Sequence, residues 1–171
     1  MKTLVIGFIF LGLTNLTQAQ NDLFAHFETS EMHKTKVTPI KNATYLASTT
    51  IDQPANRIVM LHNKVANYNI KDLAIYTPST STTYDVIFKL DKNVVIEATY
   101  NHKGDIIYCN ESFEAVKLPY SISSRLAKEN PGWHFNNTWC TITYSENNPS
   151  KTIYKVQLKK GNKRKTIKIE P

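Results

Sequence analysis

Glycine is scarce: five residues in 171, and no two of them are close enough to form a cluster. A loop that cradles phosphate by close backbone approach needs several glycines at short spacing, so that class of nucleotide site is excluded. Cysteine is scarcer still. Only Cys109 and Cys140 occur, too few for a zinc site, which takes about four ligands at short spacing. No cysteine precedes Cys109, which excludes a lipidated N-terminus just after a leader. The five histidines, at 26, 33, 62, 102 and 134, include no pair three or four residues apart, so no helix face offers two imidazoles to a metal. Long apolar runs are missing beyond "LVIGFIFLGL" near the start, and that run is about half of the ~20 residues a membrane-spanning helix needs.

That run has another use. "MKT" carries a lysine, the apolar stretch follows, and "TNLTQAQ" ends in small and polar residues, with Thr17 and Ala19 at the small positions before a cleavage site. This is the layout of a secretory signal peptide. The expectation is a signal peptide over 1–19, cleaved to leave a periplasmic or secreted protein that is not a lipoprotein. Loss of Lys2 takes the formal charge from +7 to +6. Acid is nearly absent at the far end: residues 151–171 hold eight basic side chains and one acid, Glu170. Such an end attracts anionic partners, or it is a solvated strand face whose lysines discourage edge pairing. An oxidising compartment permits a Cys109–Cys140 disulfide; both residues also suit small buried apolar positions.

Periodicity divides the remainder. Residues 20–53 have weak periodicity and read as a partly ordered leader, with "HKTKVTPI" and "ATYLAST" as short extended pieces. Pro54 suits a first helical turn, and Ile58, Leu61, Val65 and Tyr68 follow at helical spacing. A short strand at "LAIYT", a polar loop and three strands come next: 84–90, 94–100 and 105–110. "LDKN" and "NHKG" form the turns between them. A second helix opens at Pro119, buries Ile122 and Leu126, and stops at Pro131–Gly132, with Ser121, Ser123 and Ser124 placed to cap it. "WHF", "TWCTITYS", "TIYKVQLKK" and "RKTIKIE" read as four further strands.

"YDVIFKL" at 84–90 and "YKVQLKK" at 154–160 share one alternating pattern. The expectation is an α+β fold built as a tandem repeat of one helix plus about four antiparallel strands, with helices on one face of a curved sheet. The first unit spans 54–112 and the second 113–171. Alternation along strands puts Tyr84, Val86 and Phe88, like Tyr154, Val156 and Leu158, under the helices. The opposite face then carries Asp85, Ile87 and Lys89 in the first unit and Trp139, Thr141, Thr143, Lys155, Gln157 and Lys168 in the second. Aromatic anchors favour partner surfaces, so Trp139, Thr141, Lys155, Gln157 and Lys168 are the expected partner-binding residues; the other outcome is a leader folded over Trp139. Glu111 and Glu114 are expected to face water, and no catalytic group is assigned.

The segments "KVTPI", "NKVANYNI", "EATYNHKGDI", "FEAVKLPYSI", "NPGWHF" and "YKVQLKKGNKRKTIKI" resemble the PepSY-like, β-lactamase-inhibitor-like (BLIP-like) family of small exported bacterial proteins, flavobacterial type, from about Lys36 to the C-terminus. "NHKG" stands where the family commonly has an acidic turn. The resemblance implies the tandem fold and export. Its named relatives bind and inhibit enzymes, but fold alone does not carry function. The expected protein is thus a monomeric, non-enzymatic, protein-binding module without cofactor or metal. It would act on an envelope or extracellular protein rather than nucleic acid, without stable membrane insertion. The alternative is a binder of anionic glycan or lipid through the basic C-terminal hairpin.

Overall fold

The computed structural model describes residues 41–49, 51–52 and 54–171; the expected signal peptide, most of the leader and the "KVTPI" segment lie outside the described residues. The order is α1 (Ala43–Ser48), α2 (Asn56–Ala66), a 3-10 turn (Ile70–Asp72), β1 (Thr83–Asp91), β2 (Val94–Asn101), β3 (Ile106–Glu114), α3 (Tyr120–Glu129), β4 (His134–Ser145), β5 (Asn148–Lys160) and β6 (Lys163–Ile169). The strands form one six-stranded antiparallel sheet in sequence order, β1-β2-β3-β4-β5-β6, so the fold is α+β. Among the described residues no helix is long and apolar enough to cross a membrane.

The regular strands alternate as their sequence does. Tyr84, Val86 and Phe88 are buried while Thr83, Asp85 and Ile87 are exposed. Tyr154, Val156 and Leu158 are buried with Lys155 exposed between them. The inner face packs on α2 through Ile58, Leu61 and Val65, one stripe at helical spacing, and on α3 through Ile122 and Leu126. Tyr68 continues the α2 stripe and meets Phe88 edge-on at 5.1 Å. Asn67 ends α2, and Tyr100 donates its hydroxyl to the Val65 carbonyl at 2.8 Å, satisfying one acceptor of the last turn. The Asn130 side chain does the same for Leu126 in α3. Gly104, at φ 87°, closes the β2–β3 turn where an L side chain would be strained.

Several expectations need correction. "ATYLAST" is helical over Ala43–Ser48, not extended, and it belongs to the core: Tyr45 and the nearby Ile51 are both buried. "LAIYT" pairs with no strand among the described residues. His134 and Phe135 of "WHF" and all of "TWCTITYS" belong to one strand, β4, interrupted by a register shift between Phe135 and Asn137; Trp133 precedes it. Each of the two later helices is therefore followed by three strands, not four. The look-alike strands also hold different places: "YDVIFKL" is β1, the first strand after α2 and a sheet edge, while "YKVQLKK" lies in β5, an interior strand second after α3. Their likeness reflects a shared burial pattern. No serine side chain caps α3; Ser123 instead donates to the Tyr120 carbonyl.

Candidate functional site

The helices cover one face of the sheet, and no described element covers the other. Antiparallel register arranges that outer face in rows. One runs Glu114–Trp139–Lys155–Lys168 across β3, β4, β5 and β6. The next along β5 is Asn137–Gln157–Thr166, and beyond it comes His134–Lys159–Arg164. In the other direction lies Ser112–Thr141–Ile153. Trp139, Thr141, Lys155, Gln157 and Lys168 thus form one contiguous patch, brought together from three strands. Trp139 is partly exposed and Lys155 and Lys168 are exposed. Asn136, at the bulge, donates to Gln157 Oε1 at 2.5 Å.

The patch is cationic. Glu170 bridges Lys151 at 3.2 Å and Lys168 at 3.0 Å, and its carboxyl is held below the usual carboxylate range by hydrogen bonds from Lys168 and then Lys151. Across the sheet the same face has another character. Asp85, Ile87, Glu97, Thr99 and Tyr108 line a depression of about 280 Å³, with Ile87 and Tyr108 both substantially exposed.

A polar cluster lies under the opposite face, at residues that no sequence motif marks. Glu111 is fully buried in β3, contrary to the expectation that it faces water. Alternation explains why: Glu111 shares its parity with buried Cys109 and Phe113. Its carboxylate accepts from the Tyr45 hydroxyl of α1 at 2.7 Å, and its other oxygen lies 2.8 Å from His62 Nε2 of α2. In every protonation arrangement that makes this bond, one proton lies between the two atoms. The Cys109 thiol is 3.8 Å from the Tyr45-bonded oxygen. Desolvation, then the charge of Glu111, pushes the Tyr45 phenol far above its ordinary range. Tyr45 also meets the rings of Tyr144 and His62 edge-on, so the cluster is walled by aromatic groups and joins both N-terminal helices to the sheet. Glu114, by contrast, is half-buried and accepts from Asn137 at 2.6 Å.

Cys109 and Cys140 are free thiols, both buried. Cys109 faces Tyr144 across the β3–β4 pair and Cys140 faces Phe113. That is a stagger of four residues along adjacent strands, about 13 Å, where a disulfide needs Cα atoms within about 7 Å. Burial raises both thiols, Cys140 to about 12 and Cys109 further.

A second depression, of about 320 Å³, lies between the start of α2 and residues 114–117. Two of its charged groups are committed elsewhere: Arg57 pairs with Asp91 at 2.9 Å and Glu114 accepts from Asn137. Trp133 packs on the core and lies under Lys165, whose ammonium is 4.5 Å from the ring centroid and also bonds Asn130. Among the described residues no group of three or more His, Cys, Asp or Glu side chains could hold a metal ion.

With this geometry the molecule falls in the class of small α+β proteins that leave one sheet face uncovered by their described elements. No family model, curated protein or solved structure matches the chain.

Proposed function

We propose that this chain is an exported binding module whose open sheet face docks on another protein of the envelope or extracellular space. The observation that supports it is the contiguous row of Trp139, Lys155 and Lys168, flanked by Thr141 and Gln157, on a face no described element covers. A tryptophan among polar and cationic side chains suits a contact anchor, because its large surface gains from desolvation while the rim stays hydrated. The signal-peptide layout supports export. Two buried thiols too far apart to bridge stay compatible with an oxidising compartment.

The PepSY-like, β-lactamase-inhibitor-like resemblance fits the same role, and the order of α2 before β1–β3 and α3 before β4–β6 is compatible with a tandem organisation. Capture from envelope extract tests the role. Trp139→Ala bait is expected to recover at least fivefold less of the partner than the native bait, the effect of about 1 kcal/mol or more at an anchor. Equal recovery removes Trp139 from the contact.

A further inference from the structure

We infer that the docking partner presents a carboxylate-rich protein segment, seated over the outer face of β4–β6 between two cationic rows. This rests on the binding role proposed above and specifies its chemistry.

The register sets cation against cation three times in a single hairpin: Lys155 opposite Lys168, Lys159 opposite Arg164, and Lys160 opposite Lys163. Like charges directly opposite on a sheet destabilise it. The first two pairs lie on the outer face, and His134 extends the Lys159–Arg164 row onto β4. Of these four outer cations only Lys168 has a carboxylate within reach, that of Glu170. Lys155, Lys159 and Arg164 have no acidic partner among the described residues.

Protection of a sheet edge accounts for the cations of β6, which is an edge strand. It does not account for Lys155 and Lys159. Those stand on β5, an interior strand already paired on both sides, where a charge guards no edge and repels its neighbour. An anion bound between each pair turns that repulsion into attraction.

The layout also indicates what kind of anion. The two outer pairs are four residues apart along β5, about 13 Å, and the row between them, Asn137–Gln157–Thr166, carries neutral hydrogen-bonding side chains. Trp139 stands beside Lys155 at one end. Two anionic sites, an amide- and hydroxyl-lined centre and one aromatic ring match an extended peptide with separated acidic side chains and an apolar contact.

The probe is a fluorescein-labelled oligoglutamate peptide, titrated by anisotropy at low and high salt against the native protein, a Lys159→Thr/Arg164→Thr variant, and a Lys71→Gln/Lys103→Gln variant of equal charge loss elsewhere. The expected result is salt-sensitive binding that weakens about fivefold or more in the first variant and about twofold or less in the second. Without ligand, the first variant should also melt higher by about 1–3 °C at low salt, with the gain shrinking at high salt.

Equal weakening in both variants reduces the effect to net charge and overturns the inference. So does binding to heparin or to anionic phospholipid vesicles with none to oligoglutamate, or an unchanged or lower melting point in the first variant. Any of these can occur while Trp139→Ala still abolishes capture, in which case the binding role stands and only its chemistry fails.

Discussion

A carboxylate with no exposed surface has to be held by its neighbours, and Glu111 is held by two helices at once. Tyr45 of α1 and His62 of α2 each bond one of its oxygens, so one side chain of β3 fixes where both helices sit. Removing one partner of a buried charged group leaves the other uncompensated, at a cost of about 3–5 kcal/mol. His62→Ala is therefore expected to lower unfolding free energy by that amount in urea titrations. A Glu111→Leu/His62→Leu pair, which removes both halves of the interaction, should lose less than the sum of the single changes. Additive losses would show that the two side chains do not act together. The expected strand stops at Asn110, which leaves Glu111 flanking a loop and facing water; β3 runs on to Glu114, and the continued period places Glu111 between Cys109 and Phe113 on the inner face.

At the scale of elements, period-two alternation is strong where strands are regular: it marks β1, β2 and β6 closely, and only part of β3 and β5, which extend on to Glu114 and back to Asn148 beyond the expected 105–110 and 152–160. It fails at β4, where the shift between Phe135 and Asn137 inverts the alternation and makes one strand look like two. The α1 helix was illegible for another reason. Six residues with two β-branched or hydroxyl side chains carry little helical propensity, and α1 is held instead by contacts remote in sequence: Asn42 donates to the Ala66 carbonyl at 2.8 Å and accepts from the Ile106 amide at 2.9 Å. The outer-face patch was legible because register only needed to bring β4, β5 and β6 side by side. Pairing of β3 with β4 also has a chemical consequence. With Cys109 and Cys140 staggered, buried and raised in pKa, neither thiol should react with iodoacetamide in the native protein at neutral pH, and both should react in urea without reductant. Absence of labelling in urea would mean a disulfide and a different register.

The whole molecule carries an alkaline liability. Cys109, Cys140, Tyr45, Tyr100 and Tyr154 are all raised, with desolvation the leading cause. In the unfolded chain the thiols release their protons near 9.0 and the phenols near 10.0, while the folded protein keeps them; Cys140 and Tyr154 hold on to about 12. The unfolded state then binds fewer protons, so stability falls as pH rises from about 9, by up to about 1.4 kcal/mol per pH unit for each fully retained proton. Urea midpoints measured from about pH 8 to about pH 11 should decline throughout, and Cys140→Ala should flatten the start of that decline. A flat profile would mean that these groups are solvated.

The division of the molecule into a helix-covered face and an open face is what any binding role depends on. A photo-crosslinking residue placed at Gln157, on the open face, and separately at Met60, exposed on α2, compares the two sides in one experiment with envelope extract. Partner adducts from Gln157 and none from Met60 are expected; adducts from Met60 alone would put the contact on the helices and contradict the open-face role.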